Sequence, residues 1–357
     1  MILSTDKSGP FGHAPNSVQK TMTLVLVALL PATLFNIWLF GWPALFMFLF
    51  SIASCVGIEA LCMWGQGKPI QPVIADGSAV LTGWLMAMSL PPWAPWWIPL
   101  IGAICAIWLA KHLYGGLGQN VFNPAMIARV ALLVSFPVQM TLFVAPKPLF
   151  SDGAPGFAES LSIFFGLVDM DTLSSASAMG FIKTELSRGI TVSASMAQTP
   201  NLMDTLFGFH PGSFGETSQV LVLAGGLFLL ARRVISWHIP VAVLGTILVL
   251  GTLFNAINPD RFASGLFHLT AGASMLGAFF IATDYVTSPV SKQGQIVFGI
   301  GVGFLTWVIR TFAGYPEGMA FAVLLMNSVT PIIDSKIRPR TFGRTRKGEP
   351  LEMTRKP

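Results

Sequence analysis

The sequence predicts an all-α integral membrane protein of about ten transmembrane helices, arranged as two inverted five-helix repeats with an extracytoplasmic loop domain between helices 5 and 6. Three observations predict it. Of 357 residues, 53% are hydrophobic and 10% are charged, and the mean hydropathy is +0.67, too apolar for a soluble domain. The apolar residues fall in long charge-poor runs of the length that crosses a ~30 Å bilayer core. The two halves of the chain also match each other in sequence, with a polar stretch between them.

Residues 1–20 are polar, carry Lys7, His13 and Lys20, and lack the short apolar core and small-residue cleavage site of a secretory signal. They are expected to be a cytoplasmic amino terminus, with the first apolar segment directing insertion. The first membrane repeat, 21–141, holds segments at about 21–40, 42–64, 77–91, 96–114 and 123–141. The third, Gly77 to Leu90 ahead of Pro91 and Pro92, is too short to cross a ~30 Å core as one straight helix and predicts a broken or re-entrant element buried by protein.

Residues 142–217 form a polar island whose length, with little obvious periodicity, points to function. Asp152, Glu159, Asp169, Asp171, Glu185, Asp204 and Glu216 outnumber Lys147, Lys183 and Arg188 there. The second repeat, 218–334, holds segments at about 218–235, 238–256, 266–282, 293–312 and 316–334. The tail, 335–357, carries eight of the 21 basic residues.

The basic residues of the short loops, Lys7, Lys20, Lys68, Lys111, Arg232, Arg233 and Lys292, all mark the same side as the tail. That side is expected to be cytoplasmic, with both termini inside and residues 142–217 outside, in the periplasm of a bacterial inner membrane. The basic tail reads as a topology determinant near anionic lipid rather than a nucleic-acid patch.

The internal repeat is clearest where Ile101, Gly102, Trp108, Lys111 and Gly115 match Ile300, Gly301, Trp307, Arg310 and Gly314, a constant offset of 199. Residues 125–137 match 319–331 at an offset of 194, and Gly77-Ser78-Ala79 matches Gly272-Ala273-Ser274 near helix 8. Five helices per repeat is an odd number, so the second copy runs inverted, and such folds place their sites at the repeat interface on broken helices.

Glu59, Asp76, Lys111, Arg129, His268, Asp284, Arg310 and Asp334 lie in or at the ends of apolar segments, where ionisable residues are functional candidates. Glu59 and Asp284 are the ion-path candidates, since each adjoins an apolar run without an adjacent basic residue. Lys111 and Arg310 read equally well as snorkelling or head-group-binding side chains. Cys55, Cys62 and Cys105 sit in apolar runs and are expected to be inert thiols. No catalytic triad and no CxxC pair is present, so hydrolase and zinc-enzyme chemistry have no support, and no catalytic or metal-ligating residue is assigned.

Four separated stretches, in order, carry a resemblance: Ser8-Gly9-Pro10 to Met22, Gly118-Gln119-Asn120-Val121-Phe122-Asn123-Pro124-Ala125, Pro211-Gly212-Ser213-Phe214-Gly215-Glu216-Thr217-Ser218, and Ala282-Thr283-Asp284-Tyr285-Val286-Thr287-Ser288-Pro289. Together they resemble the NqrB/RnfD family over residues 8–345, and the chain length is that of the RnfD side. The resemblance implies a urea-transporter-like fold and an inner-membrane subunit of an Rnf-type complex, which couples electron flow between ferredoxin and NAD to Na+ or H+ movement. It implies the other Rnf subunits as partners, notably the FMN-bearing RnfG outside.

The resemblance also implies FMN joined through its phosphate to a hydroxyl by a flavin transferase. Asp171, Ser174 and Ala176 fall on the family's attachment pattern, and Ser177 occupies the acceptor position where the family usually has threonine. Ser175, Thr172 and Ser174 are fallback acceptors, and non-covalent FMN at the same place is the rival arrangement. The simpler reading of this serine-rich stretch is a cap for a helix over residues 181–186. Further contacts are expected from Arg129 and from Asn120 and Asn123 at the start of helix 5, where a second, non-covalent flavin such as riboflavin is the competing occupant. A channel or transporter of the same fold without redox function is the alternative, and a scaffold subunit the third reading.

Overall fold

A computed structural model of the chain describes residues 17–167, 174–315 and 317–339. The first half begins with α1 (Val18–Gly65), a short α2 (Ile70–Ile74) and α3 (Ser78–Ser89). Next come α4 (Trp97–Ala103), extended by a π-helical stretch Ile104–Leu109, then α5 (Pro124–Ser135) and α6 (Pro137–Thr141). The island contains β1 (Phe143–Val144), α7 (Phe157–Phe164), β2 (Ser174–Ser175), α8 (Ala178–Ser187), α9 (Val192–Met196) and α10 (Leu202–Phe207). The second half holds α11 (Gln219–Ala231), α12 (His238–Ile257), α13 (Gly265–Thr270), α14 (Ser274–Leu276) running into a π-helical stretch Gly277–Ile281, α15 (Lys292–Phe312) and α16 (Met319–Lys336).

Among the described residues, four helical spans are long and apolar enough to cross a membrane: Val18–Gly65, Trp97–Tyr114, His238–Ile257 and Lys292–Phe312. Three shorter apolar helices, Ser78–Ser89, Pro124–Ser135 and Gln219–Ala231, accompany them. With the composition above, this is the build of a multi-pass membrane protein.

Local chemistry accounts for where these helices start and stop. Side chains of Ser17, Asn123, Ser264 and Ser291 accept the backbone N–H three residues on, capping α1, α5, α13 and α15. Pro91 follows the end of α3, and Pro137 follows Phe136 at the α5–α6 break, where a ring without an N–H disfavours continuation. Gly41 takes φ 76° inside α1, a left-handed conformation open to glycine, and bends the 48-residue helix into halves of 18–40 and 42–65. Each half, at ~1.5 Å per residue, is long enough for a ~30 Å core. The segment expected at 266–282 is broken between Thr270 and Ser274, and the third segment is the 12-residue α3.

The core joins the halves: α1 packs on α3 and α11, α12 on α13 and α15, and α16 on α5 and α15. At Gly225 in α11, a Cβ would lie 2.3 Å from the Ala28 carbonyl oxygen of α1, so the two backbones meet where a side chain does not fit. Gly225→Ala is expected to cost about 1–3 kcal/mol by forcing these helices apart. Reversible unfolding in mixed micelles checks it, and an unchanged midpoint would show that the contact is loose.

The island is docked rather than free. Lys147 N and Leu149 N donate to Leu39 O and Trp38 O at the α1 bend (3.0 and 2.7 Å), and Val192 N donates to Asp260 O (2.8 Å). Met179, Ile182 and Val192 share a small apolar core with Ala263, Phe267 and Ala271. The α1 bend, the 260–271 region and the island therefore lie on one side of the molecule.

Candidate functional site

Ser177 is placed by the elements on either side of it. β1 and β2 pair antiparallel, with Phe143 opposite Ser175 and Val144 opposite Ser174, which holds the serine-rich stretch beside the end of α6. Two residues on, Ser177 is the N-cap of α8, its Oγ accepting from Gly180 N at 3.3 Å. The capping role and the expected helix over 181–186 are thus both observed; the hydroxyl hydrogen is not used by the cap. Ser175 Oγ donates to Phe143 O at 3.4 Å, and Ala176 is exposed. Asp171 and Thr172 lie outside the described residues.

Ser177 is buried and lines a small pocket together with Arg129, Phe143, Glu216 and Glu317. Its free space is ≈ 10 Å³, about one water or one phosphate oxygen. Arg129 Nη1 is buried without a hydrogen-bond partner, and Arg129 is in none of the ion pairs among the described residues. The two carboxyls nearby are already engaged. Glu317 takes Arg310 through both oxygens (2.7–2.9 Å), and Glu216 accepts from Ser213 Oγ at 2.7 Å. Burial pushes the Glu216 carboxyl up from its ordinary pKa, and the neighbouring Glu317 pushes the same way against the pull of Arg129 and Arg310. With Glu317 committed to Arg310 and Glu216 accepting from Ser213, Arg129 Nη1 is left without an acceptor among the described residues. The donor chemistry beside Ser177 therefore fits a phosphate group, with room in the pocket for its oxygen and not for an aromatic ring.

Asn120 and Asn123 do not join this pocket. They line a separate cavity of ≈ 520 Å³ with Ser78, Lys111, Asp284 and Tyr285 on its polar side and Leu85, Phe279 and Phe280 on its apolar side. That volume suits a drug-sized organic ligand. Asn123 Oδ1 caps α5 by accepting from Met126 N, and Asn120 Nδ2 donates to Phe122 O. The expected contact set is thus divided by α5: its first turn lines the large cavity and its middle, at Arg129 and Leu133, lines the small pocket. Ala125 and Arg129 are ~6 Å apart along the helix axis.

The ion-path candidates separate in the same way. Glu59, without a basic neighbour in sequence, has one in space: Lys111 Nζ donates to both of its oxygens (2.6 and 2.7 Å) and to Ser78 Oγ (2.7 Å). His112 Nε2 lies 3.3 Å from Glu59 Oε1. Glu59 is thus a locked partner, not a free carboxylate. Asp284 lines the large cavity, and its carboxylate accepts from Val286 N and Thr287 Oγ1 (3.3 and 3.1 Å). Lys111 and Arg310, alternatively read as snorkelling, are instead 2% and 1% exposed. Arg310 Nη1 donates to Ser274 Oγ at 2.7 Å, so each matched cation holds the serine at the start of a short helix. Glu216 and Glu317 were not singled out as site residues from sequence. The available signals were Glu216 inside the 211–218 motif and Glu317 just ahead of α16.

The family comparison follows the same span as the ordered motifs. Residues 5–343 match the family described as NQR2, RnfD, RnfE. The chain belongs to the NQR2, RnfD, RnfE family. It is 48% identical over 349 residues to the D subunit of the ion-translocating oxidoreductase complex of Halorhodospira halophila, covering 98% of each chain. Similarity to the proteins of the same name from Stutzerimonas stutzeri (50% over 337 residues, 94% of this chain and 95% of the relative) and Rhodobacter capsulatus (52% over 303 residues, 85% and 84%) is of the same order. Among the described residues, the Ser177 pocket and the cavity at the first turn of α5 are the candidate ligand sites that the expected contact residues line.

Proposed function

We propose that the chain is the D-type subunit of an Rnf-type ion-translocating oxidoreductase complex and carries FMN through its phosphate on Ser177. The observation that carries this reading is the buried Arg129 Nη1, without a partner among the described residues, in the pocket lined by Ser177. Serine supplies the one group a phosphoester needs, a hydroxyl, and Arg129 supplies a charge-assisted donor to the phosphate oxygens. Burial pushes the Glu216 carboxyl up from its ordinary pKa, which favours the form that does not repel an anion. FMN supplies the electron-transfer chemistry, and the chain supplies position and local charge.

In this reading, ten helices form two inverted repeats, both termini are cytoplasmic, and residues 142–217 are periplasmic. The matched Lys111–Ser78 and Arg310–Ser274 contacts support the repeat, and the docking of the island at one end supports the sidedness. The large cavity on the other end of α5 is the place for a second, non-covalent flavin such as riboflavin. Electrons pass between ferredoxin and NAD through the complex, coupled to Na+ or H+ movement, with RnfG the outer flavin-bearing partner and a flavin transferase needed for maturation.

The test is co-expression with a flavin transferase, followed by denaturing gel fluorescence and peptide mass for the native chain and Ser177→Ala. A fluorescent band with FMN mapped to the Ser177 peptide, absent from the variant, is expected. Flavin released on denaturation from both proteins would replace the covalent link with non-covalent FMN, and no flavin in either would overturn the reading in favour of a channel.

A further inference from the structure

α8, the helix capped by Ser177, carries Lys183 two turns further on, and this side chain reaches across to the membrane body. Lys183 Nζ donates to Ile309 O (3.3 Å), to Ala313 O (2.6 Å) and to Tyr315 O. These three carbonyls are the end of α15 and the turn beyond it, where the helix carries its negative pole; Ile309 O also accepts from Ala313 N (3.1 Å), while Ala313 O and Tyr315 O lie past the last helical residue. An ammonium has three donors, and all three are used. The opposite side of the same turn is held by Glu317, which takes Arg310 and accepts from Ala273 N (2.9 Å) at the break between α13 and α14.

We propose that Lys183 is a positioning residue that clamps α8 to the carboxyl end of α15, and so holds Ser177 at the pocket it shares with Arg129 and Glu317 and places a cation on the turn just before Glu317. The proposal rests on the flavin reading above for its redox consequence, but not for the clamp itself. The apolar contacts of Met179 and Ile182 with Phe267 and Ala271 hold the neighbouring face of α8, so the helix survives loss of the lysine while its seat on α15 does not. Burial pushes the Lys183 ammonium down to about 8, consistent with a donor seated among carbonyls instead of one extended into water.

The experiment compares the full chain, Lys183→Met and Lys183→Arg by hydrogen exchange over residues 309–319 and by the midpoint potential of the bound flavin. Three charge-assisted bonds lost in Lys183→Met are expected to speed exchange at the end of α15 by about tenfold to hundredfold. The flavin potential is expected to fall, because a cation that favours the reduced, more negative cofactor has been removed. Lys183→Arg, which keeps charge and donors, is expected to restore both. Exchange in Lys183→Met equal to the native rate would overturn the clamp. Faster exchange with an unchanged potential would overturn the electrostatic part. A native chain without flavin would refute the flavin reading and leave the exchange comparison still deciding the clamp.

Discussion

Glu59→Gln is expected to lower the stability of the folded chain by about 3–5 kcal/mol, because it leaves a buried ammonium without its counter-charge. Lys111 is 2% exposed and Glu59 fully buried, so neither can turn to water when the other is removed. The pair draws α3 and the end of the fourth helical segment onto α1, and Ser78 Oγ and His112 Nε2 complete the cluster. Lys111→Met is expected to cost a similar amount by stranding the carboxylate. Combining Lys111→Met with Glu59→Leu should recover most of the loss, since an apolar pair of similar volume needs no desolvation offset. A double-mutant cycle of unfolding midpoints in mixed micelles measures the coupling. Single variants within about 1 kcal/mol of the native chain would mean that water reaches the pair and that Glu59 is available to ions after all.

Arg129→Met is expected to act in the opposite sense on stability and to weaken phosphate binding. In a Ser177→Ala background, where FMN is held only by non-covalent contacts, loss of the guanidinium should weaken FMN binding by about tenfold to hundredfold, the worth of one or two charge-assisted hydrogen bonds. Riboflavin, which has no phosphate, should bind within about threefold of the Ser177→Ala level in the double variant. The unloaded chain should be as stable as before or more stable, because a buried N–H without a partner has been removed. Calorimetric titration with the two flavins decides it: equal losses for FMN and riboflavin would place Arg129 at the ring and not the phosphate.

The four long apolar spans were legible because each depends on a local run of residues, and the breaks were legible because proline and glycine act where they stand. Gly41 turns α1 between the first two segments, and α3 is as short as residues 77–91 imply. The helix after Ser177 was legible as well, since an N-cap hydroxyl works on its own backbone three residues away. The candidate site was only half legible. Ser177 and Arg129 line one pocket, but Asn120 and Asn123, expected beside them as the turn at the start of helix 5, line a different cavity. Residues a few positions apart on one short helix face different cavities, and sequence spacing does not reveal that a helix divides two cavities.

The sequence by itself determined the membrane class, the shortness of the third segment and, through four motifs in order, the family. These follow from side-chain chemistry read one stretch at a time. Tertiary structure alone decided that Glu59 is bound to Lys111, 52 residues away, and that Lys183 ends on carbonyls more than 120 residues away. It also decided that, among the described residues, Arg129 Nη1 has no partner. The physical reason is common to all three: a buried charge takes the partner that folding brings to it, and where that partner is a backbone carbonyl or is missing, no side chain in the sequence announces it.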